Sequence, residues 1–329
     1  MPDSPLAVAV AALGSETPET IAQRFLSRHD NVVLYGPPGT GKSRAAFSIA
    51  DQWRITNGPD TVFTTTFHPS YSYEDFVEGF RPSEEDPSRF ELTDGLLFRA
   101  AEAAKDGNKV LLVIDEINRA DVAKVFGELI TYVEFDKRGL EFTTAQRPTV
   151  PRTIPDGLHI LGTMNTADKS ISLLDVALRR RFKFVETPPD SASFASSSTW
   201  KESALGVDLG DLLSYLNSAL LRMDVGRDRL IGQALLGLGV DEDDSVLLER
   251  IRFDVYPLVE EYLFGDPARM ADVLPGLVNE HGGLNNAALT ASLIHSWVRS
   301  SSGVQDPVQP APMPPAADDF ESLDQAEDA

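Results

Sequence analysis

Three short stretches of this sequence hold residue types whose spacing suits phosphate chemistry. The first is "GPPGTGKS", residues 36–43. Gly36, Gly39 and Gly41 allow a backbone to curl until its N–H groups face phosphate oxygens, at the point where a helix begins. A lysine in that position reaches the β- and γ-phosphates, and the following hydroxyl binds Mg²⁺. The spacing G-x-x-x-x-G-K-[ST] therefore predicts a nucleotide site made of Gly36, Pro37, Pro38, Gly39, Thr40, Gly41, Lys42, Ser43 and Arg44. A Gly/Pro turn with an incidental lysine is the bland alternative, and the apolar run before the motif argues against it.

The second stretch is "KVLLVIDEINRA", residues 109–120. An apolar run ending in two acids sets Asp115 and Glu116 at the C-terminal end of a buried strand. Asp115 suits the Mg²⁺ shell, together with Ser43, and Glu116 suits polarisation of an attacking water. The third stretch, "GTMNTADKSISLLDVALRRRF", spans residues 162–182. Asn165 ends another apolar run, so its polar side chain would stand at a strand end; a turn or cap asparagine is the alternative. Arg179, Arg180 and Arg181 close the segment. They read either as a solvated basic helix face or as guanidinium forks able to neutralise charge on a transferring phosphoryl group.

These residues need a scaffold that brings strand ends together. "NVVLYG" (31–36), "TVFTTTF" (61–67), "KVLLVID" (109–115) and "LHILGTMN" (158–165) read as strands. Most are nearly continuous apolar runs, as befits strands covered on both faces. Helical patterns such as "SRAAFSIADQW" and "DVAKVFGELITYVE" lie between them. The expected fold is α/β with a parallel sheet. After "TPPDSASFASSST" (187–199), which resembles a linker, only helical periodicity remains. "SVLLERIRFDVYPLVEEYLF" places Ile251, Val255, Leu258, Val259 and Tyr262 on one face, and "NNAALTASLIHSWV" supplies a further helix. The expected organisation is a short segment 1–30, an α/β NTPase domain 31–188, a small helical lid 189–302, and an acidic, Pro-rich disordered tail 303–329.

Composition narrows the function. A net charge of -22 argues against a broad nucleic-acid surface, which would require clustered Lys and Arg. With no cysteine there can be no disulfide or thiolate metal site. The five histidines, at 29, 68, 159, 281 and 295, have no metal-ligand spacing. No apolar run is long enough to span a bilayer. The acidic start before "LAVAVAALG" does not suit a secretory signal, so a cytoplasmic protein without membrane contact is expected.

The blocks "GPPGTGKS", "FHPSYSYEDFVEGFRP", "IDEINRA" and "GTMNTADKSISLLDVALRRRF" resemble the AAA+ domain of the McrB family. The likeness runs from about Asn31 to Val185, with a weaker echo in "GRDRLIGQALL" and "VYPLVEEYLF" as far as about Phe264. This resemblance implies an AAA+ P-loop NTPase fold, ATP or GTP as substrate with Mg²⁺, and a hexameric homo-oligomeric ring. It also implies an McrC-like nuclease subunit as partner, with DNA reached through partners, in a restriction or defence system. It gives Asn165 the sensor role, adds Asp168 to the catalytic set, and matches Arg180 and Arg181 to finger positions serving a neighbouring subunit. Arg179 could pair within its own chain, with Asp175. Residues 134–157 resemble a hairpin insertion, with a turn at Arg138-Gly139. His68 reads better as a loop-packing side chain than as a base. Gln233 stands where relatives often carry His, which weakens Arg227 or Arg229 as a second sensor. With 30 residues before Asn31, no DNA-reading domain is expected. A MoxR-like chaperone acting on a protein client is the competing reading.

Overall fold

A computed structural model describes residues 16–83, 85, 86, 88–167 and 179–301. Five parallel strands form the central sheet: β1 (Asn31–Gly36), β2 (Val62–Thr66), β5 (Val110–Asp115), β6 (Leu158–Asn165) and β7 (Phe182–Glu186). Their order is β2-β5-β6-β1-β7. Successive residues of each central strand are apolar and face opposite layers. Val32 and Leu34 of β1, with Leu111 and Val113 of β5, pack under α1 (Pro18–Leu26) and α2 (Lys42–Asn57). Val33, Leu112, Ile114 and Ile160 pack on the other side against Phe76, Leu97, Phe98 and Phe126. Coverage on both faces explains why these strands show no polar alternation.

Four of the five strands coincide with the expected apolar runs. β7 was not foreseen, because its "FKFVE" alternates at the sheet's edge and follows directly on three arginines. A second departure concerns "DVAKVFGELITYVE", which forms two short helices, α5 (Val122–Phe126) and α6 (Leu129–Tyr132), rather than one. Gly127 breaks it at φ 53°, and a Cβ there would lie 2.8 Å from the Tyr73 ring. Apolar periodicity does not register a glycine that leaves the helical region.

Between β2 and β5 the chain adds α3 (Tyr73–Phe76), a hairpin of β3 (Glu78–Pro82) and β4 (Phe90–Asp94), and α4 (Leu96–Ala103). The "HPSYSYEDF" block braces this hairpin. Ser72 and Asp75 form a capping box at the start of α3, Asp75 also pairs with Arg81, and Tyr73 donates to Glu128 at 3.0 Å. Exposed His68 packs edge-on against Tyr71, with ring centroids 5.5 Å apart.

Residues 134–157 turn at Arg138-Gly139 as expected, with Gly139 at φ 74° and its N–H donating to the Ile154 carbonyl, but the antiparallel pairing beyond it is only one bridge long. Buried Arg138 donates to Asn31 Oδ1 at 2.7 Å, and the bridge joins Phe142 to Arg152. The segment is clamped to the β3–β4 hairpin by charge. Arg147 lies 3.2 Å from the fully buried Glu78 and also pairs with Asp94, which Arg152 meets at 2.8 Å. Thr144 donates to Glu78.

The lid is a separate helical core built around α8 (Leu209–Arg222), α9 (Val246–Arg250), α10 (Tyr256–Tyr262), α11 (Pro267–Val273) and α12 (Ala291–Ser301). Two corrections apply to the sequence reading. The lid is not purely helical, since β8 (Ser203–Ala204) pairs with β9 (Val207–Asp208). The 187–199 stretch is more than a linker, because Phe194 of α7 (Ser193–Ser196) is buried in the lid core. Between α9 and α10 a π turn (Ile251–Val255) precedes Pro257, which has no N–H to donate. Ile251, Val255, Val259 and Tyr262 are nevertheless buried together, as the periodicity predicted.

Candidate functional site

The C-terminal ends of β1, β5 and β6 converge, so Gly36, Asp115 and Asn165 meet at one edge of the sheet. Gly36 lies beside Asn165 in register, and Ile114 beside Gly162. Ligands of open α/β sheets bind outside such carboxyl ends. The loop 37–41 leads straight into α2, whose N-terminus presents unpaired backbone N–H groups.

Lys42 is buried beneath this loop, and its Nζ donates to the Pro37 carbonyl at 2.6 Å. Desolvation lowers its pKa to about 8, against the opposing pull of Glu116 and Asp115. Ser43 Oγ donates to Asp115 Oδ1 at 2.8 Å, and Thr163 Oγ1 donates to the same oxygen at 2.5 Å. The Thr163 hydroxyl also accepts from the Glu116 N–H at 3.1 Å. Glu116 itself has φ 56° and ψ 44°, a left-handed conformation that a side-chain-bearing residue adopts only under constraint. Its Oε1 accepts from Asn165 Nδ2 at 2.5 Å, and Arg119 Nε stands 3.7 Å from Oε2. Asn118 donates to the Asn165 carbonyl at 3.0 Å. Strain at Glu116 thus aims its carboxylate at Asn165, while Asp115 faces Ser43.

Ser43 and Asp115 offer hard oxygen donors side by side, which fits a Mg²⁺ ion that takes the rest of its ligands from water and phosphates. Among the described residues no group of three His, Cys, Asp or Glu side chains is placed to cage a metal.

The arginines lie elsewhere. Asn31, at the start of β1, is in register with Phe182, which directly follows Arg181. The phosphate loop leaves β1 at its other end, about 16 Å away at ~3.3 Å per strand residue. Arg180 is exposed, and with Arg181, Asn31 and Glu134 it lines a cavity of about 500 Å³. Arg181 Nε meets Glu134 Oε1 at 2.7 Å and its side chain is only 10% exposed. Arg181 therefore carries an in-chain ion pair that the sequence reading did not foresee, and Arg180 is the better presented of the two. The Arg179 guanidinium stacks over the Phe184 ring at 5.8 Å. Asp168, its neighbour Lys169 and Asp175 lie outside the described residues.

The lid touches the phosphate loop directly. Gln233 is buried and donates to the Thr40 carbonyl at 3.0 Å, and Thr166 Oγ1 donates to the Asp228 carbonyl at 3.0 Å. Arg44, at the start of α2, reaches the Trp200 ring at 5.8 Å. Arg229 faces the Tyr262 ring at 6.0 Å, within the lid. Sequence reasoning missed Thr163, Asn118 and the contact made by Gln233. Thr163 was findable, since it stands two residues before Asn165 and so points to the same face of the strand. Gln233 was not, because its partner is 193 residues away.

Residues 31–182 match the family model for the AAA domain, dynein-related subfamily. The chain is 35% identical over 269 residues to the Escherichia coli K12 "Type IV methyl-directed restriction enzyme EcoKMcrB subunit". That alignment covers 76% of this chain and 58% of the relative. It is 27% identical over 193 residues to the Bacillus subtilis 168 "Type II restriction enzyme BsuMI component YdiS", covering 47% and 56% of the two chains. The chain thus spans less than two thirds of either curated relative. A solved structure of a candidate ATPase from Cytophaga hutchinsonii aligns over 84% of this chain and 89% of its own, at 15% identity and a TM-score of 0.35.

Proposed function

Because the chain belongs to the McrB family of AAA+ proteins, we propose that it hydrolyses ATP or GTP as the motor subunit of a restriction complex. The observation that supports this best is the linkage of Ser43 to Asp115 and of Asn165 to Glu116 at one sheet edge. In this reading Asp115 serves the metal side and Glu116 the water side. The backbone N–H groups of residues 39–43 bind the phosphates, and Lys42 neutralises them. Ser43 and Asp115 would hold Mg²⁺, which when bound offsets charge on the phosphate oxygens. Glu116 accepts the proton of the attacking water, and Asn165 orients the Glu116 carboxylate. Relief of the in-chain Lys42–Pro37 contact frees the ammonium for the phosphates.

Arg180 is assigned to a neighbour's nucleotide, since it lies at the opposite end of β1 from its own phosphate loop. Arg181 is assigned to holding that edge through Glu134. The working unit would then be a homo-oligomeric ring, with a nuclease subunit as partner and DNA contacted through partners. Both relatives are named as components of restriction enzymes, which favours this reading over a protein-remodelling chaperone.

The test is phosphate release from ATP and from GTP, by this chain alone and with the product of a neighbouring nuclease-like gene. Turnover of one nucleotide, raised by the partner, is expected. Absence of hydrolysis of both nucleotides under every condition would overturn the proposal.

A further inference from the structure

The lid makes more than a packing contact with the phosphate loop. It takes hold of two successive loop carbonyls. Ala234 N–H donates to the Gly39 carbonyl at 2.9 Å, and Gln233 Nε2 donates to the Thr40 carbonyl at 3.0 Å. A trans peptide unit is planar, with its C=O and N–H on opposite sides. Tying the Gly39 and Thr40 carbonyls to the lid therefore turns the N–H groups of Thr40 and Gly41 the other way. Those are two of the groups that the phosphate reading places against anionic oxygens. We infer that Gln233 is a positioning residue for phosphate binding: from the lid, it holds the loop in its anion-accepting conformation before any nucleotide arrives.

Three further observations fit Gln233 for this role. Its amide is used at both ends, because Oε1 accepts from the Asp190 N–H at 3.2 Å. Asp190 lies between β7 and the lid, so one side chain joins the loop, the connection and the lid. The segment carrying it is itself anchored. Asn217 of α8 donates to the Ile231 carbonyl at 2.9 Å and accepts from the Ile231 N–H at 2.7 Å, anchoring the chain just before Gln233. Contact with the loop is also as close as a backbone allows. A Cβ on Gly232 would fall 2.2 Å from the Gly39 carbonyl carbon, so only glycine admits this approach. A buried carbonyl left without its donor is costly, so the loop would abandon this orientation if the amide were removed.

This inference rests on the nucleotide reading, and one set of measurements separates the two. Fluorescent ATP and GTP analogues, with their diphosphate and monophosphate counterparts, would be titrated against the full chain. The variants are Gln233→Leu, close in size but without hydrogen bonds, and Gln233→His, whose neutral ring has one N–H donor and one acceptor nitrogen. Thermal unfolding without nucleotide would monitor the fold. The expected result is a triphosphate affinity roughly 10- to 100-fold weaker for Gln233→Leu. Monophosphate binding should change much less, and Gln233→His should recover most of the loss. General damage to the lid would weaken all the nucleotides alike and would not respond to histidine. Wild-type triphosphate affinity in a folded Gln233→Leu protein would overturn the inference and leave the function standing. So would equal losses for mono- and triphosphate, or no rescue by histidine. If Gln233→Leu fails to fold, Gln233→His and Gln233→Met carry the same comparison. Failure of the wild-type chain to bind any nucleotide would overturn both readings.

Discussion

In the proposed mechanism, individual side chains divide the chemistry of the site between them. Glu116 is held in a left-handed backbone conformation with its carboxylate against Asn165. A Glu116→Gln protein should bind nucleotide with near wild-type affinity and lose turnover by about 10²- to 10⁴-fold, the range a general base supplies. Binding titrations beside phosphate-release rates would check this, and a variant still turning over normally would remove Glu116 from the mechanism. Lys42 makes a second, pH-dependent prediction. Its pKa in the folded protein, about 8, lies below the ordinary value of 10.5 because the ammonium is buried. Between those two pH values the unfolded chain binds more protons. The stability contributed by this group therefore rises with pH through that window. Bound phosphates raise the Lys42 pKa again, so nucleotide binding takes up a proton near and above pH 8. Affinity should accordingly fall as pH climbs past about 8, and calorimetry in buffers of different ionisation enthalpy would register the uptake. Proton-neutral binding at pH 8.5 would contradict it.

At the scale of elements, the β3–β4 hairpin and the 134–157 segment are joined by charge. Glu78 is fully buried, with Arg147 and Thr144 as its partners. Removing one member of a buried pair strands the other, which costs about 3–5 kcal/mol. Arg147→Ala should therefore destabilise the domain by roughly that amount. Arg147→Met combined with Glu78→Leu should recover much of the loss, because an apolar pair of similar volume removes both charges. Chemical denaturation of the two variants would separate these outcomes. None of this pairing was visible beforehand, since Glu78 stands 69 residues from Arg147 and both look like surface residues in sequence. The strands, by contrast, were legible, because "KVLLVI" and "LHILG" can be apolar on both faces only inside a covered parallel sheet. The single helix expected over 121–134 is interrupted at Gly127, whose φ of 53° and ψ of -136° lie outside the helical region and are open to a residue without Cβ.

For the whole molecule, the proposed assignment of Arg180 to a neighbour's nucleotide would make the activity a property of an assembly, since β1 separates Arg180 from its own phosphate loop. Arg180→Ala subunits should bind nucleotide and fail to hydrolyse it. Mixed with Glu116→Gln subunits they should regain part of the activity, since some junctions then pair an intact Glu116 with an intact Arg180. Mixing that restores nothing, with ring formation verified by sedimentation, would count against a finger supplied by the neighbour. Arg181→Ala should behave differently. It frees Glu134 and loosens the edge where β7 meets β1, so it should lower thermal stability as well as turnover.

The motifs alone determined the chemistry on offer. Three stretches named Lys42, Ser43, Asp115, Glu116 and Asn165, because phosphate-binding loops and strand-end acids are local patterns of residue type and spacing. The same patterning identified the parallel sheet. Tertiary structure decided what local patterns do not contain: which candidate arginine is tied to a glutamate, and which end of the sheet each functional group occupies. It also decided that a glutamine from the lid grips the phosphate loop. These outcomes depend on side chains from distant segments meeting in three dimensions. A hydrogen bond across 193 residues leaves no periodicity in the chain that forms it.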